Sequence, residues 1–344
     1  MGFFNVEKQP PKVDIVAVAK AAKVSPSTVS RSFNHPDLVN LATRKKIDRA
    51  VRKLGYIRNR AAQAMHGKRS ATIGLIVPTI NHAIFAEVIQ AFSDAVEAEG
   101  FTILIASHGY DLEAEYGVLR KLLEHRVDGV ALIGLDHHDE TFQLLEQQGV
   151  PAIAIWNFSD SAPIACIGAD NQKAGAMAAQ NLLDLGHGRI GTIFPPTQGN
   201  DRAGDRLKGA MHTLEQNGIS VPDPWQSEAP YSLQQAKAAA CEMLEHGPHP
   251  TALLCGNDVI AQGAIYAALK LGLTVPDDLS VIGIGDFKGS EEMEPALTTI
   301  RIPAQSIGQL AGEEIARAIA DSMAPPTRVE CEVKLVSRAT TRKV

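Results

Sequence analysis

Hydroxyl side chains and an arginine cluster near the start of the chain. Six of the seven positions from 25 to 31 are Ser25, Pro26, Ser27, Thr28, Ser30 and Arg31. Hydroxyls hold phosphate oxygens, and arginine donates to phosphates or to base edges. Small polar residues that lead a helix and are followed by arginine are typical of a segment that enters the major groove of DNA.

A second set of polar and aromatic side chains follows apolar runs in the rest of the chain. Its members are Asn81, His82, Phe85, Trp156, Asn157, Asn200, Asp201, Arg202, Arg206, Asn257, Asp258 and Asp286. Aromatic faces pack against sugar C–H surfaces, carboxylates and amides accept from hydroxyls, and arginines donate in pairs. The set predicts a site for a polyol or a related small molecule. For a single member such as Asp258, a helix cap is the alternative interpretation.

Three short helices are predicted to position the first group. Asp14, Ser25 and Asn40 can each cap a helix through a side-chain oxygen, and Pro26 suits a first helical turn. At helical spacing after these caps stand the apolar residues Ile15, Val18, Ala19, Ala22, Val29, Phe33, Ile47, Ala50, Val51 and Leu54. A helical module that docks another protein is the alternative to DNA binding.

Charge separates this helical head from the rest of the chain. Residues 1–70 carry 15 Lys and Arg against 4 Asp and Glu, a net charge of +11, while the remaining 274 residues carry −17. A basic, folded segment suits a polyanion. Double-stranded DNA is therefore the expected partner of the head.

Length and composition are those of a globular protein with more than one domain. The chain has 344 residues, 45% of them hydrophobic and 21% charged, which is far from disordered or membrane compositions. Neither a signal peptide nor a membrane span is predicted. Four cysteines without C-x-x-C spacing indicate buried thiols in a reducing compartment, and the expected location is the cytoplasm.

The long second part alternates apolar runs with helical segments. The runs cover residues 73–78, 102–106, 130–135, 152–156, 190–194, 252–255 and 280–284. This alternation predicts doubly wound parallel sheets. Ligands bind beyond the carboxyl ends of such strands, which is where the second set of side chains stands. Residues 157–163, rich in Ser, Asp and Pro, are predicted to cross between two lobes.

Several longer segments carry a family resemblance. They are residues 15–19, 24–31, 54–62, 185–187, 256–258, 275–283 and 297–300. These segments resemble the LacI/GalR transcriptional regulators, and the likeness spans essentially the whole chain. It implies an all-α helix-turn-helix head over 1–58, a hinge helix and linker over 59–70, and an α/β effector-binding and dimerisation domain of the periplasmic-binding-protein type over 71–344. Its lobes would comprise about 71–160 with 301–323, and about 161–300 with 324–344, with three crossings.

The resemblance assigns roles in the head. Base-reading positions would be Pro26, Ser27 and Arg31, and phosphate-holding positions would be Ser25, Thr28, Ser30, Asn34 and Thr43. The hinge that inserts into the minor groove would contain Asn59, Ala62 and Met65. Tyr56 lies just before the hinge, in the matching segment 54–62. Three positions depart from the family pattern: Lys23 replaces a turn glycine, Arg58 a proline, and Met65 the intercalating leucine. Methionine is apolar and flexible, so it can still wedge a base step.

The resemblance also assigns effector contacts. They would be Asn81, Phe85, Asn157, Arg206, Tyr231 and Asn257. Gly285 occupies the customary acidic position, and Asp286 follows it as a possible replacement. Some segments look more like the gluconate-repressor subgroup, and with Arg202 and Arg206 they predict a sugar acid or related polyol rather than a purine or a neutral disaccharide.

The predicted function is a DNA-binding transcriptional regulator, a repressor by resemblance, of carbohydrate or sugar-acid metabolism genes. It would bind a pseudo-palindromic operator as a homodimer and respond to a small-molecule effector. One alternative is a solute-binding receptor, which the basic head and missing signal peptide oppose. A sugar-metabolising α/β enzyme is the other, opposed by the lack of G-x-S-x-G, P-loop and H-E-x-x-H motifs. No cofactor or metal is predicted, and residues 137–139 are expected to form a solvated turn.

Overall fold

The structure divides the chain into two units, Met1–Ser70 and Ala71–Val344. The computed structural model describes residues 13–58, 69–81, 83–245, 247–321 and 323–344. In the first unit it shows helices α1 (Ile15–Ala22), α2 (Pro26–Asn34) and α3 (Leu41–Leu54), with a 3₁₀ turn at Pro36–Leu38.

Side-chain caps begin the three helices of the head, as predicted. Asp14 Oδ1 accepts from the Ala17 amide at 2.8 Å, Ser25 Oγ from Thr28 at 3.1 Å, and Asn40 Oδ1 from Thr43 at 2.8 Å. Each cap satisfies an amide that has no partner within its helix. The buried core of the head is Val18, Ala19, Ala22, Val29, Ile47 and Ala50, with Ile15, Phe33, Val51 and Leu54 packed against it. The predicted inward faces are therefore confirmed.

Lys23 forms the turn between α1 and α2 without glycine. Its backbone is left-handed, with φ 57° and ψ 47°, and its amide donates to the carbonyls of Ala19 and Lys20. A side chain in this conformation costs roughly 1 kcal/mol. The turn geometry is thus kept although glycine is replaced.

The second unit alternates strands and helices throughout the described residues. Its strands are β1 (Thr72–Val77), β2 (Thr102–Ser107), β3 (Gly129–Ile133), β4 (Ala152–Asn157), β5 (Ala165–Ala169), β6 (Ile190–Phe194), β7 (Gln226–Glu228), β8 (Ala252–Cys255), β9 (Ser280–Gly285), β10 (Thr298–Arg301), β11 (Val329–Glu330) and β12 (Lys334–Val336). Its helices are α4 (Ala83–Ala98), α5 (Leu112–Glu124), α6 (Asp139–Gln148), α7 (Asn171–Asp184), α8 (Asp201–Gln216), α9 (Leu233–Glu245), α10 (Asp258–Lys270) and α11 (Ala304–Ala320).

Two six-stranded sheets define two lobes within this unit. The first has the order β11-β5-β4-β3-β1-β2 and is parallel throughout. The second has the order β12-β10-β9-β8-β6-β7, with β12 antiparallel to β10. The described chain crosses between the lobes before α7, between β10 and α11, and between β11 and β12. The doubly wound α/β fold is as predicted.

The crossing predicted at 157–163 is wrong. Those residues join β4 to β5, which pair in parallel within the first sheet, with Ile155 opposite Ile167. The chain leaves this lobe only after Ala169. After its return at α11 it stays in the first lobe beyond the predicted boundary at 323, because β11 pairs with β5. Turn-forming composition marks a loop, but it does not determine which sheet the next strand joins.

Strand burial matches the expectation for the central strands but not for the strands at the sheet edges. Residues of β3, β6, β8 and β9 are buried throughout, as strands covered on both faces must be. On the edge strand β2, Leu104 and Ile105 are 38% and 42% exposed. Among the described residues, no helix has the length and apolarity that crossing a membrane requires.

Candidate functional site

The leading end of α2 presents hydroxyl groups to solvent. Ser25 Oγ lies 2.7 Å from Ser27 Oγ and 2.8 Å from Thr28 Oγ1. Ser25, Pro26, Ser27 and Arg31 are exposed on this helix. Because the positive end of the helix dipole lies at its N-terminus, this cluster suits phosphate oxygens, and the short side chains allow close approach to base edges.

The far end of α2 is tied to the segment after α3. Asn34 Nδ2 donates to Ser30 Oγ at 3.2 Å, and its Oδ1 accepts from the Arg58 guanidinium. Arg58 also lies over the Phe33 ring at 5.8 Å, and Phe33 packs on Tyr56 with centroids 6.2 Å apart. The sequence did not predict these contacts of Arg58. A substitution relative to the family pattern shows that proline is absent, but it does not show which residues the new side chain contacts.

Thr43, a predicted phosphate-holding position of the head, is half-buried near the start of α3. Its backbone amide donates to Asn40 Oδ1. Asn59, Ala62 and Met65 of the predicted hinge lie outside the described residues, and so does His82.

In the second unit, a buried chain of hydrogen bonds connects the two lobes at the strand ends. Asn157, at the end of β4 in the first lobe, accepts from Asn171 Nδ2 at 2.7 Å through Oδ1. Asn171 Oδ1 in turn accepts from Arg206 Nε at 2.7 Å. Arg206 Nη1 donates to the Gly256 carbonyl, beside β8, at 3.1 Å. The predicted site residues Asn157 and Arg206 thus share one network.

Asp201 and Arg202, at the start of α8, make an interlobe clasp. Asp201 Oδ2 accepts from the Leu135 amide at 2.6 Å and from Asn157 Nδ2 at 2.8 Å, both in the first lobe. Its Oδ1 accepts from Arg202 Nη1 at 2.8 Å, and Arg202 reaches the Ile133 carbonyl at 3.3 Å. Burial favours a higher pKa for Asp201, but Arg202 and the donated hydrogen bonds hold that pKa below its ordinary value.

Arg206 is a buried cation. Only 1% of the surface of Arg206 is exposed, and Arg206 takes part in no ion pair among the residues that the structure describes. Burial lowers its pKa, although a guanidinium keeps its proton in proteins. Asp205, one residue before Arg206, does not pair with it among the described contacts, since the Asp205 carboxylate accepts from Asn157 Nδ2 at 3.2 Å.

Two aromatic pairs lie at the strand ends. Phe85 and Trp156 are buried and meet edge to face, with centroids 5.9 Å apart. Tyr231 accepts from Asn200 Nδ2 at 3.0 Å and packs on Tyr110 at 6.4 Å. Tyr110 belongs to the first lobe and was not predicted as a site residue, although it follows the apolar run 102–106 in the same way as the predicted site residues follow theirs.

Asn257 and Asp258 have different roles at the start of α10. Asn257 caps the helix, with Oδ1 accepting from the Ile260 amide at 2.9 Å. Asp258 accepts from the Phe287 amide at 2.8 Å, from Ser290 Oγ at 2.8 Å and from Thr299 Oγ1 at 2.6 Å, all within the second lobe. Burial raises the pKa of Asp258. Asp258 is therefore no helix cap, and its carboxylate ties a helix to two neighbouring segments.

Asp286 faces arginines rather than an open space. Its oxygens lie 2.6 Å from the Arg301 guanidinium and 2.7 Å from Arg338 Nη1. Gly285, before it, has φ 142°, and the Phe287 ring fills the space that a Cβ at this position would need. A neighbouring cavity of about 570 Å³ is lined by Ala86, Gln90, Trp156, Gly285, Phe287 and Ala304, among others.

Asn81 is exposed in the loop after β1, where its backbone amide donates to Thr79 Oγ1 at 3.1 Å.

The prediction of a solvated turn at 137–139 is wrong for His137, whose side chain is 1% exposed. Its Nδ1 lies 2.8 Å from buried Glu115, and its Nε2 lies 3.1 Å from the Gly134 carbonyl. Glu115 is 22 residues away in sequence, so the pairing has no local signal.

Comparison with known proteins places both units in one family. Residues 14–59 match the model of bacterial regulatory proteins of the lacI family, and residues 70–339 match that of periplasmic binding proteins and the sugar binding domain of the LacI family. The transcriptional repressor PurR of Klebsiella pneumoniae is 31% identical over 329 residues, which cover 93% of this chain and 94% of that protein.

Solved structures agree with this assignment. The Lac repressor dimer bound to operator and the anti-inducer ONPF superposes with a TM-score of 0.83 and 29% identity, covering 96% of this chain and 99% of the other. The regulator GntR of Chromobacterium violaceum gives a TM-score of 0.73 and 28% identity, covering 78% of this chain and 99% of the other. This chain belongs to the LacI family of DNA-binding transcriptional regulators.

Proposed function

We propose that the protein is a cytoplasmic repressor that binds a pseudo-palindromic operator as a homodimer and is controlled by a small carbohydrate, polyol or sugar-acid effector. The observation that carries the DNA-binding part is the exposed leading end of α2, with Pro26, Ser27 and Arg31 on its surface. It lies in a segment with a net charge of +11. A gel-shift assay with promoter DNA from the neighbouring genes tests the proposal, and absence of a specific complex contradicts it.

Arg31→Ala is expected to weaken operator binding by about 1–3 kcal/mol, because the exposed guanidinium donates to a base edge or phosphate. Titration of labelled operator by fluorescence anisotropy measures the change. Lys20→Ala, another exposed cation in the head, serves as the control and should cost less. Equal affinities of wild type and Arg31→Ala, with both folded, would remove Arg31 from the interface.

The homodimer is proposed to use the open edge of the first lobe. Strand β2 pairs only with β1 among the described strands, and it exposes Leu104 and Ile105. An apolar strand edge left in water invites pairing with another chain. The Lac repressor structure that resembles this chain is a dimer on its operator, which supports the same assembly here.

Ile105→Lys is expected to shift the protein from dimer to monomer, because it places a charge in this apolar edge. Sedimentation velocity at micromolar concentration measures the state. The control Gln147→Lys adds the same charge at an exposed position of α6 and should leave a dimer. A wild-type monomer, or a dimeric Ile105→Lys variant, would contradict this assignment of the interface.

Effector control is proposed to act through the lobes. The clasp and the Asn157–Asn171–Arg206 chain both join the first lobe to the second at the strand ends, so a ligand bound there changes the stability of one lobe arrangement relative to another. A ligand and DNA that prefer different arrangements are linked through that equilibrium. The likeness to the gluconate-repressor subgroup, with the GntR structure among its relatives, supports a sugar-acid effector.

A further inference from the structure

A buried carboxylate and two histidines lie together in the first lobe, and none of them belongs to the predicted set of site residues. Glu115 is on α5, His108 follows β2 and His137 follows β3. Their side chains are 1%, 3% and 1% exposed. A buried ionised group is costly unless it is paired and hydrogen-bonded. The hydrogen bonds of this cluster therefore indicate which of its members carry charge.

His137 directs both of its ring nitrogens at oxygen acceptors. Nδ1 lies 2.9 Å and 2.8 Å from the two carboxylate oxygens of Glu115, and Nε2 lies 3.1 Å from the carbonyl oxygen of Gly134. A neutral imidazole has one N–H group and one lone pair, so it can donate to only one of these acceptors. An imidazolium donates to both, and its charge neutralises the carboxylate. The contacts therefore indicate a buried ion pair of Glu115 and His137.

The other groups around Glu115 do not supply this positive charge. Burial lowers the pKa of His108, whose Nε2 lies 3.7 Å from the carboxylate. Thr141, on α6, donates a neutral hydrogen bond to Glu115 at 3.4 Å. The neighbouring contact of His138 with Glu113 lies in solvent, with 40% and 89% of the two side chains exposed. Among the described residues, His137 is thus the cation that pairs with Glu115.

One peptide group joins this ion pair to the clasp between the lobes. The Gly134 carbonyl that faces His137 and the Leu135 amide that donates to Asp201 at 2.6 Å belong to the same peptide unit. A hydrogen bond to the carbonyl oxygen polarises that unit and strengthens donation by its N–H. It also fixes the plane of the peptide, and with it the direction of the N–H. His137 therefore acts on Asp201 through this peptide.

The clasp lies directly on this peptide because position 134 is glycine. The φ of Gly134 is 95°, in the left-handed region that favours glycine. A Cβ atom at this position would collide with the Arg202 guanidinium and would lie 2.8 Å from an oxygen of Asp201. Two charged side chains of the second lobe therefore pack against the peptide that His137 holds from the first lobe.

We propose that Glu115 and His137 are positioning residues for the interlobe clasp: a doubly protonated His137, held by Glu115, orients the 134–135 peptide so that the Leu135 amide donates to Asp201. The arrangement of the lobes is then set in part by buried residues of the first lobe, and a change at either residue alters effector control. That consequence for control rests on the proposed function, whereas the support of the clasp does not.

Amide exchange at Leu135 in the full-length protein tests this link with two variants of one residue. His137→Gln keeps an N–H donor near the position of Nε2, whereas His137→Asn keeps one only near Nδ1. Both leave Glu115 without its cation, so they differ in the bond to Gly134. NMR of protein labelled with 15N-leucine should show the Leu135 amide exchanging about tenfold faster in His137→Asn than in His137→Gln, the equivalent of one hydrogen bond. Equal rates in the two folded variants overturn the proposal.

A control and a second pair of variants protect this comparison. His138→Asn makes the same substitution at the next position, where the side chain is 40% exposed, and should leave exchange at Leu135 at the wild-type rate. If the single variants do not fold, Glu115→Gln removes the unpaired carboxylate from both. Leu135 should then exchange more slowly in Glu115→Gln/His137→Gln than in Glu115→Gln/His137→Asn, and equal rates in this pair also overturn the proposal.

Asp201→Ala tests whether His137 acts on the clasp itself. Without the Asp201 carboxylate the Leu135 amide has lost its acceptor, so the two His137 variants should exchange at equal rates in this background. A tenfold difference that persists without Asp201 would show that His137 supports the loop alone, and it would overturn the positioning role.

The protonation of His137 has its own spectroscopic signature. In protein labelled with 15N-histidine at pH 7, both ring nitrogens of His137 are expected to carry protons, and Glu115→Gln should leave a proton on only one of them. The resonances are assigned by their loss in His137→Gln. A wild-type His137 with a single N–H group contradicts the ion pair.

Operator binding by the same variants separates this inference from the proposed function. A difference in operator affinity between His137→Asn and His137→Gln that parallels the difference in exchange supports both. A difference in exchange with equal operator affinities contradicts control through the lobes and leaves the positioning role intact.

Discussion

Asp201→Ala is expected to open the cleft between the lobes of the second unit and to lower its unfolding free energy by about 3–5 kcal/mol, because it leaves Arg202 as a buried cation without its partner. It also leaves the Leu135 amide and Asn157 Nδ2 without their shared acceptor. Calorimetric unfolding measures the loss of stability, and small-angle scattering measures an increased radius of gyration.

Asp205→Ala is the matched control for this prediction. Asp205 lies one turn later on the same helix, α8, and accepts a single hydrogen bond of 3.2 Å from Asn157. It takes no part in the contact with Leu135 or Arg202, so its removal should have a much smaller effect on both measurements. If the two variants behave alike, Asp201 is not a clasp between the lobes.

The clasp should be insensitive to pH in the physiological range. The pKa of Asp201 lies below its ordinary value in the folded protein, so the ionised form contributes stability above the unfolded pKa of about 3.9 and loses it as the pH falls through the folded value. The stability difference between wild type and Asp201→Ala is therefore expected to be constant from about pH 5 to 8. A difference that changes steeply within that window would contradict this sign.

Asp258→Ala is expected to destabilise the second lobe by about 3–5 kcal/mol, because three buried donors lose a charged acceptor together. These donors are the Phe287 amide and the hydroxyls of Ser290 and Thr299. Denaturant unfolding followed by circular dichroism measures the loss. Asp258→Asn, which keeps the shape and one acceptor oxygen, should retain part of the stability.

Asp277→Ala provides the comparison at the surface. Its carboxylate is 67% exposed and lies 3.2 Å from Arg342, and such a pair contributes at most about 1 kcal/mol. If Asp258→Ala is as stable as Asp277→Ala but no longer binds the effector, Asp258 contacts the ligand rather than supporting the lobe.

Much of the fold follows from short-range patterns. The caps Asp14, Ser25 and Asn40 act on amides three residues away, so residue type and spacing suffice to predict them. Runs of apolar residues similarly predicted the buried strands. Strand β5, with the small-residue sequence ACIGA, has no such signal, and for this reason the crossing was predicted too early in the chain.

Site residues were predictable by type but not by partner. The sequence indicated that Arg202, Arg206, Asp258 and Asp286 were available for binding. The structure instead engages Arg202 in the clasp, Asp258 inside its lobe, and Asp286 with arginines. A residue type specifies which hydrogen bonds a group can make, whereas burial and neighbours determine which of them are left for a ligand.

The elements of the head and the order of helices and strands were encoded locally in the sequence, because capping and hydrophobic periodicity act over a few residues. Tertiary packing decided the interlobe contacts. Asp201 meets Leu135 across 66 residues and Asn157 across 44, and no spacing rule relates positions so far apart. Such pairs form only when two sheets bring their strand ends together, and the same juxtaposition leaves the donors of Arg206, Asn257 and Trp156 buried and unpaired.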